Sequence, residues 1–70
     1  MTLKSARKGR VYKIQKIDID DRELLSFLFT LGCYAGEKIR VISRTRGGYI
    51  VAVKNARYFI DTRLAAAIII

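Results

Sequence analysis

Few residues in this chain carry side chains suited to chemistry. Cys33 is the single thiol, and the chain has no histidine. A nucleophilic thiolate needs a neighbouring base or cation to lower its pKa, so Cys33 reads as a small buried residue following a helix. Asp18, Asp20, Asp21 and Glu23 form an acidic run that can offer oxygens to a hard divalent ion. The run lacks the glycine and the spacing of a calcium-binding loop, and helix capping accounts for it. One cysteine and no histidine leave out the common zinc, iron–sulfur and haem ligand sets. Gly47-Gly48 has no lysine–serine continuation, so it is a turn and not a phosphate cradle. No acid–base pair remains. The residues describe a protein that binds a partner rather than an enzyme, with no cofactor and no metal of its own.

Charge is the first clue to the partner. Fourteen Lys+Arg against six Asp+Glu give a formal net charge of +8. Lys4, Arg7, Lys8, Arg10, Lys13 and Lys16 all fall within the first sixteen residues. Such a field attracts nucleic acid, anionic lipid or an acidic protein surface without choosing among them. For most single lysines a solvated surface is explanation enough. The concentration is another matter: Lys13 and Lys16, joined by Arg44 and Arg46 beside the glycine pair, are candidate contacts for an acidic partner or an anionic inner leaflet.

The elements that position these residues follow from pattern and size. Seventy residues make one domain, residues 1–70, whose core supplies a net stability on the order of 3–5 kcal/mol. One cysteine allows no internal disulfide, and a lone thiol fits a reducing, cytoplasmic compartment. No apolar run reaches membrane-spanning length, and the N-terminus lacks the apolar core of a signal peptide. Val11, Tyr12, Ile14 and Ile17 predict a strand after Gly9, with a bulge because the spacing is not strict alternation. Asp20-Asp21-Arg22-Glu23 predicts a helix start with an aspartate cap, and Gly32 ends the helix. Strands are expected over Glu37 to Thr45, Tyr49 to Lys54 and Arg57 to Asp61. Gly47-Gly48 and Asn55-Ala56 are the expected turns between them. Thr62 is expected to cap a short turn, and Ala67 to Ile70 to form a closing strand. The sum is a mainly β, small SH3-like barrel of about five strands, with one α-helix between the first and second.

The helix is apolar over too wide an arc. Steps of 100° place Phe27, Leu31, Leu24 and Leu28 within about 100°, a sensible core face. Leu25 and Phe29 widen it by about as much again. Either a loop or the N-terminal arm covers them, or they join Tyr34 in an exposed patch that docks a partner.

The segment Leu28-Phe29-Thr30-Leu31-Gly32-Cys33-Tyr34-Ala35-Gly36 has the form L-x-x-L-G-x-x-x-G and leads into the basic strand Lys38-Ile39-Arg40-Val41. Ala6-x-x-Gly9 precedes it. Tyr49 to Ile60 and Leu64-Ala65-Ala66-Ala67-Ile68-Ile69-Ile70 follow it. This order resembles the FeoA family, small SH3-like proteins of bacterial ferrous iron uptake, over roughly residues 3 to 70. The resemblance makes Gly9, Leu28, Leu31, Gly32, Gly36 and Ala67 the structural motif. Two positions depart from it: Ala35-Gly36 stands where the family often has Pro-Gly, and Phe27 where it often has a basic residue.

The resemblance implies a cytoplasmic accessory or regulatory protein that contacts FeoB, a membrane Fe(II) transporter with a GTP-hydrolysing domain. It would then sit peripherally at the inner membrane through that partner, with weak self-association as a further expectation. The alternative from a different class is a basic OB- or Sm-like nucleic-acid-binding module, with Tyr12, Tyr49, Tyr58 and Phe59 as stacking surfaces. The glycine–aromatic signatures of RNA-binding sheets are missing, so no specific nucleic acid is expected.

Overall fold

The computed structural model describes residues 1–70. A 3-10 turn, Leu3–Ser5, precedes β1 (Val11–Lys13), β2 (Lys16–Ile17), α1 (Arg22–Leu31), β3 (Lys38–Thr45), β4 (Gly48–Val53), β5 (Ala56–Asp61), α2 (Thr62–Ala67) and β6 (Ile68–Ile69). The strands form a four-stranded antiparallel sheet in the order β1-β3-β4-β5 and a two-stranded sheet, β2-β6. The mainly β class with one main helix is as expected. The barrel is not: the hydrogen-bonded ladder stops at β5 and does not return to β1.

The first strand explains the division into two sheets. Ile14 N–H donates to Glu37 C=O at 2.8 Å, extending the four-stranded sheet. The next residue, Gln15, donates to Ile69 C=O at 2.7 Å, in the other sheet. The irregular 11-14-17 spacing thus marks a strand that changes sheets, where a bulge was expected. A register shift does occur, but in β3 between Val41 and Ser43. The chain ends meet on the small sheet, where Thr2 bridges Ile69 and Ile70 N–H donates to Met1 C=O at 2.8 Å.

Three turns differ from expectation. Thr45 pairs with Gly48, so the β3–β4 loop is Arg46-Gly47 and Gly48 already belongs to β4. Val53 pairs with Ala56, so the β4–β5 loop is Lys54-Asn55 and not Asn55-Ala56. Both loop residues are left-handed, at φ 49° and 66°, the pairing that matches the twist of a two-residue hairpin. The cap of α2 is Asp61 and not Thr62: its carboxylate accepts from Leu64 N–H at 2.8 Å. Ala67 closes that helix, and the last strand begins one residue later.

The core is wholly apolar. Leu28 from α1 shares one buried cluster with Ile39 and Val41 of β3, Val51 and Val53 of β4, and Ile60 of β5; Leu3, Ala6, Leu64, Ala65 and Ile68 belong to it as well. No polar or charged side chain is buried.

Candidate interaction site

Helix α1 starts at Asp21, whose carboxylate accepts from Glu23 N–H at 2.9 Å and Leu24 N–H at 3.2 Å. Asp20 is one residue too early for this role. The helix ends at Gly32, left-handed at φ 94°, whose N–H donates back to the last turn. Between these stops, Leu24, Leu28 and Leu31 turn to the core, Leu28 fully and the other two by half. Phe27 does not join them. It lies a full 100° step from Leu28, at the margin of the core stripe, and stays 47% exposed.

Leu25 and Phe29 occupy the other margin, 41% and 64% exposed. The N-terminal arm does not cover them. It buries Leu3 and Ala6 in the core instead. The helix therefore presents three large apolar side chains to solvent, and Leu25 and Phe29, one turn apart, share a face.

Tyr34 belongs to this face. Its ring lies 4.9 Å from that of Phe29, tilted by 34°, within the range of favourable aromatic pairs. On the hairpin side the Lys54 ammonium stands over the Tyr34 ring at 5.3 Å and pairs with Glu37 at 3.2 Å. Interaction with the Tyr34 side chain, then with Glu37, raises the pKa of Lys54 above the ordinary lysine value. The turn at Gly32 makes this possible: a Cβ there would come within 3.0 Å of the Lys54 stem. Sequence reasoning missed Lys54 and Glu37 as parts of the site, and it assigned Phe27 to the core face. Lys54 gave a weak signal, standing beside Asn55 at a hairpin tip where left-handed residues are required.

The basic candidates lie on other elements. Lys13 is exposed on β1, Lys16 is exposed on β2 opposite Ile69, and Arg46 is in the β3–β4 loop. Arg44 is structural: its guanidinium donates to Ala6 C=O and, at 3.3 Å, to Lys4 C=O, fixing the N-terminal arm while lying over Tyr49. Leu25, Phe29 and Tyr34 form one patch. The four basic residues are not part of it.

Cys33 is buried, and burial pushes its thiol up to about 11, away from thiolate chemistry. Asp18, Asp20 and Asp21 line an open cleft of about 610 Å³, with Arg63 also in its lining. No group of three His, Cys, Asp or Glu side chains converges to hold a metal ion.

A family model described as FeoA domain matches residues 1–70. No curated protein matches the chain. Among solved structures, iron(II) transport protein A from Clostridium thermocellum superposes with a TM-score of 0.89 at 20% identity, covering 99% of this chain and 43% of that one. A FeoA from Stenotrophomonas maltophilia, complexed with zinc and described as a prokaryotic SH3 domain protein, gives 0.84 at 19% identity, covering 99% and 87%. A manganese-dependent transcriptional repressor gives 0.86 at 24% identity, covering 97% and 39%. The chain thus spans about two fifths of the repressor and of the clostridial protein. These likenesses establish a shared fold, which recurs inside larger regulators.

Proposed function

This chain belongs to the FeoA family, and from that membership we propose that it serves ferrous iron transport as an accessory protein, docking through α1 onto the cytoplasmic part of a FeoB-type transporter. The observation that carries this reading is the exposed patch of Leu25, Phe29 and Tyr34. A chain of 70 residues that leaves a phenylalanine 64% exposed beside a complete core forgoes burial it has every reason to seek. Tyr34, braced by Lys54 and Glu37, holds one side of the patch in place before a partner arrives, which lowers the ordering cost of docking. No helix of the structure is long and apolar enough to cross a membrane.

Regulation requires different affinity for two states of that partner. Docking either steadies the transporter's cytoplasmic domain or biases its nucleotide cycle. The test is calorimetric titration of this protein into the cognate transporter's cytoplasmic domain, apo and with GDP or a GTP analogue, repeated with Phe29→Asp. Binding that depends on nucleotide and is lost with Phe29→Asp supports the proposal. Absence of binding in every nucleotide state removes it. We propose that the same patch also mediates weak self-association, for which the expected result is a rise in sedimentation mass with concentration that Phe29→Asp abolishes.

A further inference from the structure

The outer face of the four-stranded sheet carries a second surface, separate from the α1 patch. Residues paired across antiparallel strands point to the same side. Lys13 pairs with Lys38, and one row reads Val11, Arg40, Ala52, Arg57 across all four strands. The next row contributes Ile50 and Phe59. The opposite side of the sheet holds Ile39, Val41, Val51, Val53 and Ile60, which fill the core. The outward rows are therefore uncovered: Lys13, Lys38, Arg40 and Arg57 are exposed, and Val11 and Phe59 are each 53% exposed.

The charges on this face are unbalanced. Lys13 and Lys38 stand directly opposite one another, an arrangement that weakens a sheet unless something neutralises it. No ion pair involves either, since the only salt bridge in the molecule joins Lys54 to Glu37. Four of the six carboxylates lie elsewhere, on β2–α1 and its connection. Between Val11, Lys38, Arg40, Ala52, Lys54 and Asn55 the sheet has a depression of about 240 Å³, lined by both cationic and apolar residues.

We infer that this face docks on an anionic phospholipid surface, with Lys13, Lys38, Arg40 and Arg57 at headgroup level and Val11 and Phe59 at the acyl boundary. Charge complementarity identifies the occupant. Mixed cationic and apolar side chains on one open face suit a layer that is anionic at its surface and apolar beneath. Single-stranded nucleic acid fits less well, because it needs successive aromatic platforms. Phe59 is the only aromatic on this face, as Tyr12, Tyr49 and Tyr58 pack against the core. A second copy fits less well too, since two chains of charge +8 repel.

The experiment is co-sedimentation of the full chain with phosphatidylcholine vesicles, with and without 30 mol% phosphatidylglycerol (roughly the anionic content at which polybasic surfaces bind). Circular dichroism confirms that each variant folds. Wild type binds the anionic vesicles and not the neutral ones. Lys38→Glu with Arg40→Glu weakens that binding by at least about 20-fold, from about fivefold per basic residue, and Phe59→Ser weakens it without altering charge. Arg22→Glu with Arg63→Glu makes the same change in net charge on the two helices, away from this face, and has a much smaller effect. Equal loss from the two charge pairs means attraction by net charge alone and overturns the proposal. So does loss of oligothymidine binding, but not vesicle binding, on changing Lys38 and Arg40, which assigns the face to nucleic acid. The transporter takes no part in this assay, so its outcome is independent of docking through α1.

Discussion

The Lys54 ammonium stands 5.3 Å from the centre of the Tyr34 ring and 3.2 Å from the Glu37 carboxylate, so one hairpin tip is tied both to the segment after α1 and to the start of β3. The raised pKa of Lys54 means that folding favours its charged form. For a group shifted upward, the stabilisation is whole below the unfolded value, near 10.5, and is lost as pH rises through the folded value. Stability is therefore expected to decline in alkaline solution, and Lys54→Met is expected to flatten that decline above pH 10.5. Cys33 acts in the same direction, its thiol raised from 9.0 to about 11, so the two effects overlap. Urea melts from pH 8 to 11 in a Cys33→Ala background separate them. An unchanged slope in the Lys54→Met variant there would show that the tie contributes nothing.

The two glycines of the first hairpin differ in what they tolerate. Gly47 is left-handed at φ 87° with open space around it, so Gly47→Ala costs only the backbone preference, about 1 kcal/mol. Gly48 has an ordinary φ, but a Cβ there would stand 2.3 Å from Ile60 C=O and 2.6 Å from the Phe59 ring. Backbone of the neighbouring strand cannot yield as a side chain can. Gly48→Ala is expected to destabilise by about 3 kcal/mol, in the range of overpacked cores. Denaturant melts of the two variants should rank them in that order, and equal losses would contradict the close approach.

These two positions also show what sequence can carry. Gly47-Gly48 reads as a turn because glycine marks turns, but composition alone does not say which glycine turns and which makes room for a ring on the next strand. That distinction depends on β4–β5 pairing, a contact between segments. The same limit applies to the helix. Its stops, Asp21 and Gly32, are local chemistry and were legible to within a residue. The fate of its margins was not. Phe27 and Phe29 flank the core row on opposite sides, and their exposure depends on where the N-terminal arm packs. Buried Leu3 and Ala6, with Arg44 holding the carbonyls beside them, took that arm to α2. The open sheet was hidden for a similar reason: consecutive amides at Ile14 and Gln15 choose different partners, and nothing in their side chains announces it.

The acidic run divides cleanly by position. Asp21 alone accepts the two free amides at the start of α1. Removing such a cap exposes donors that no helical carbonyl can reach. Asp21→Ala is expected to cost about 1 kcal/mol, with Asp20→Ala near zero. Thermal melts below pH 9 measure both without the alkaline effects above. If Asp20→Ala proves the costlier, the helix begins one residue earlier in solution.

Leu28 and Phe29 are adjacent, equally apolar and opposite in role. Leu28 is fully buried in the apolar core, and truncating such a residue leaves a cavity that the surrounding side chains fill only in part. Leu28→Ala is expected to destabilise by about 3 kcal/mol, comparable with the whole net stability of a domain this small. Phe29 is 64% exposed and touches chiefly Tyr34, so Phe29→Ala forfeits one aromatic pair and little burial, about 1 kcal/mol. The decisive comparison is with function. Phe29→Ala should leave the circular dichroism spectrum intact while weakening association with the transporter's cytoplasmic domain by tenfold or more, as expected of an aromatic anchor at an interface (about 1.4 kcal/mol or above). Tyr34→Ala should follow Phe29→Ala in both respects, because Tyr34 braces its ring. Should Phe29→Ala destabilise as severely as Leu28→Ala, the phenylalanine belongs to the core in solution. The exposed face of α1 would then have no partner to explain.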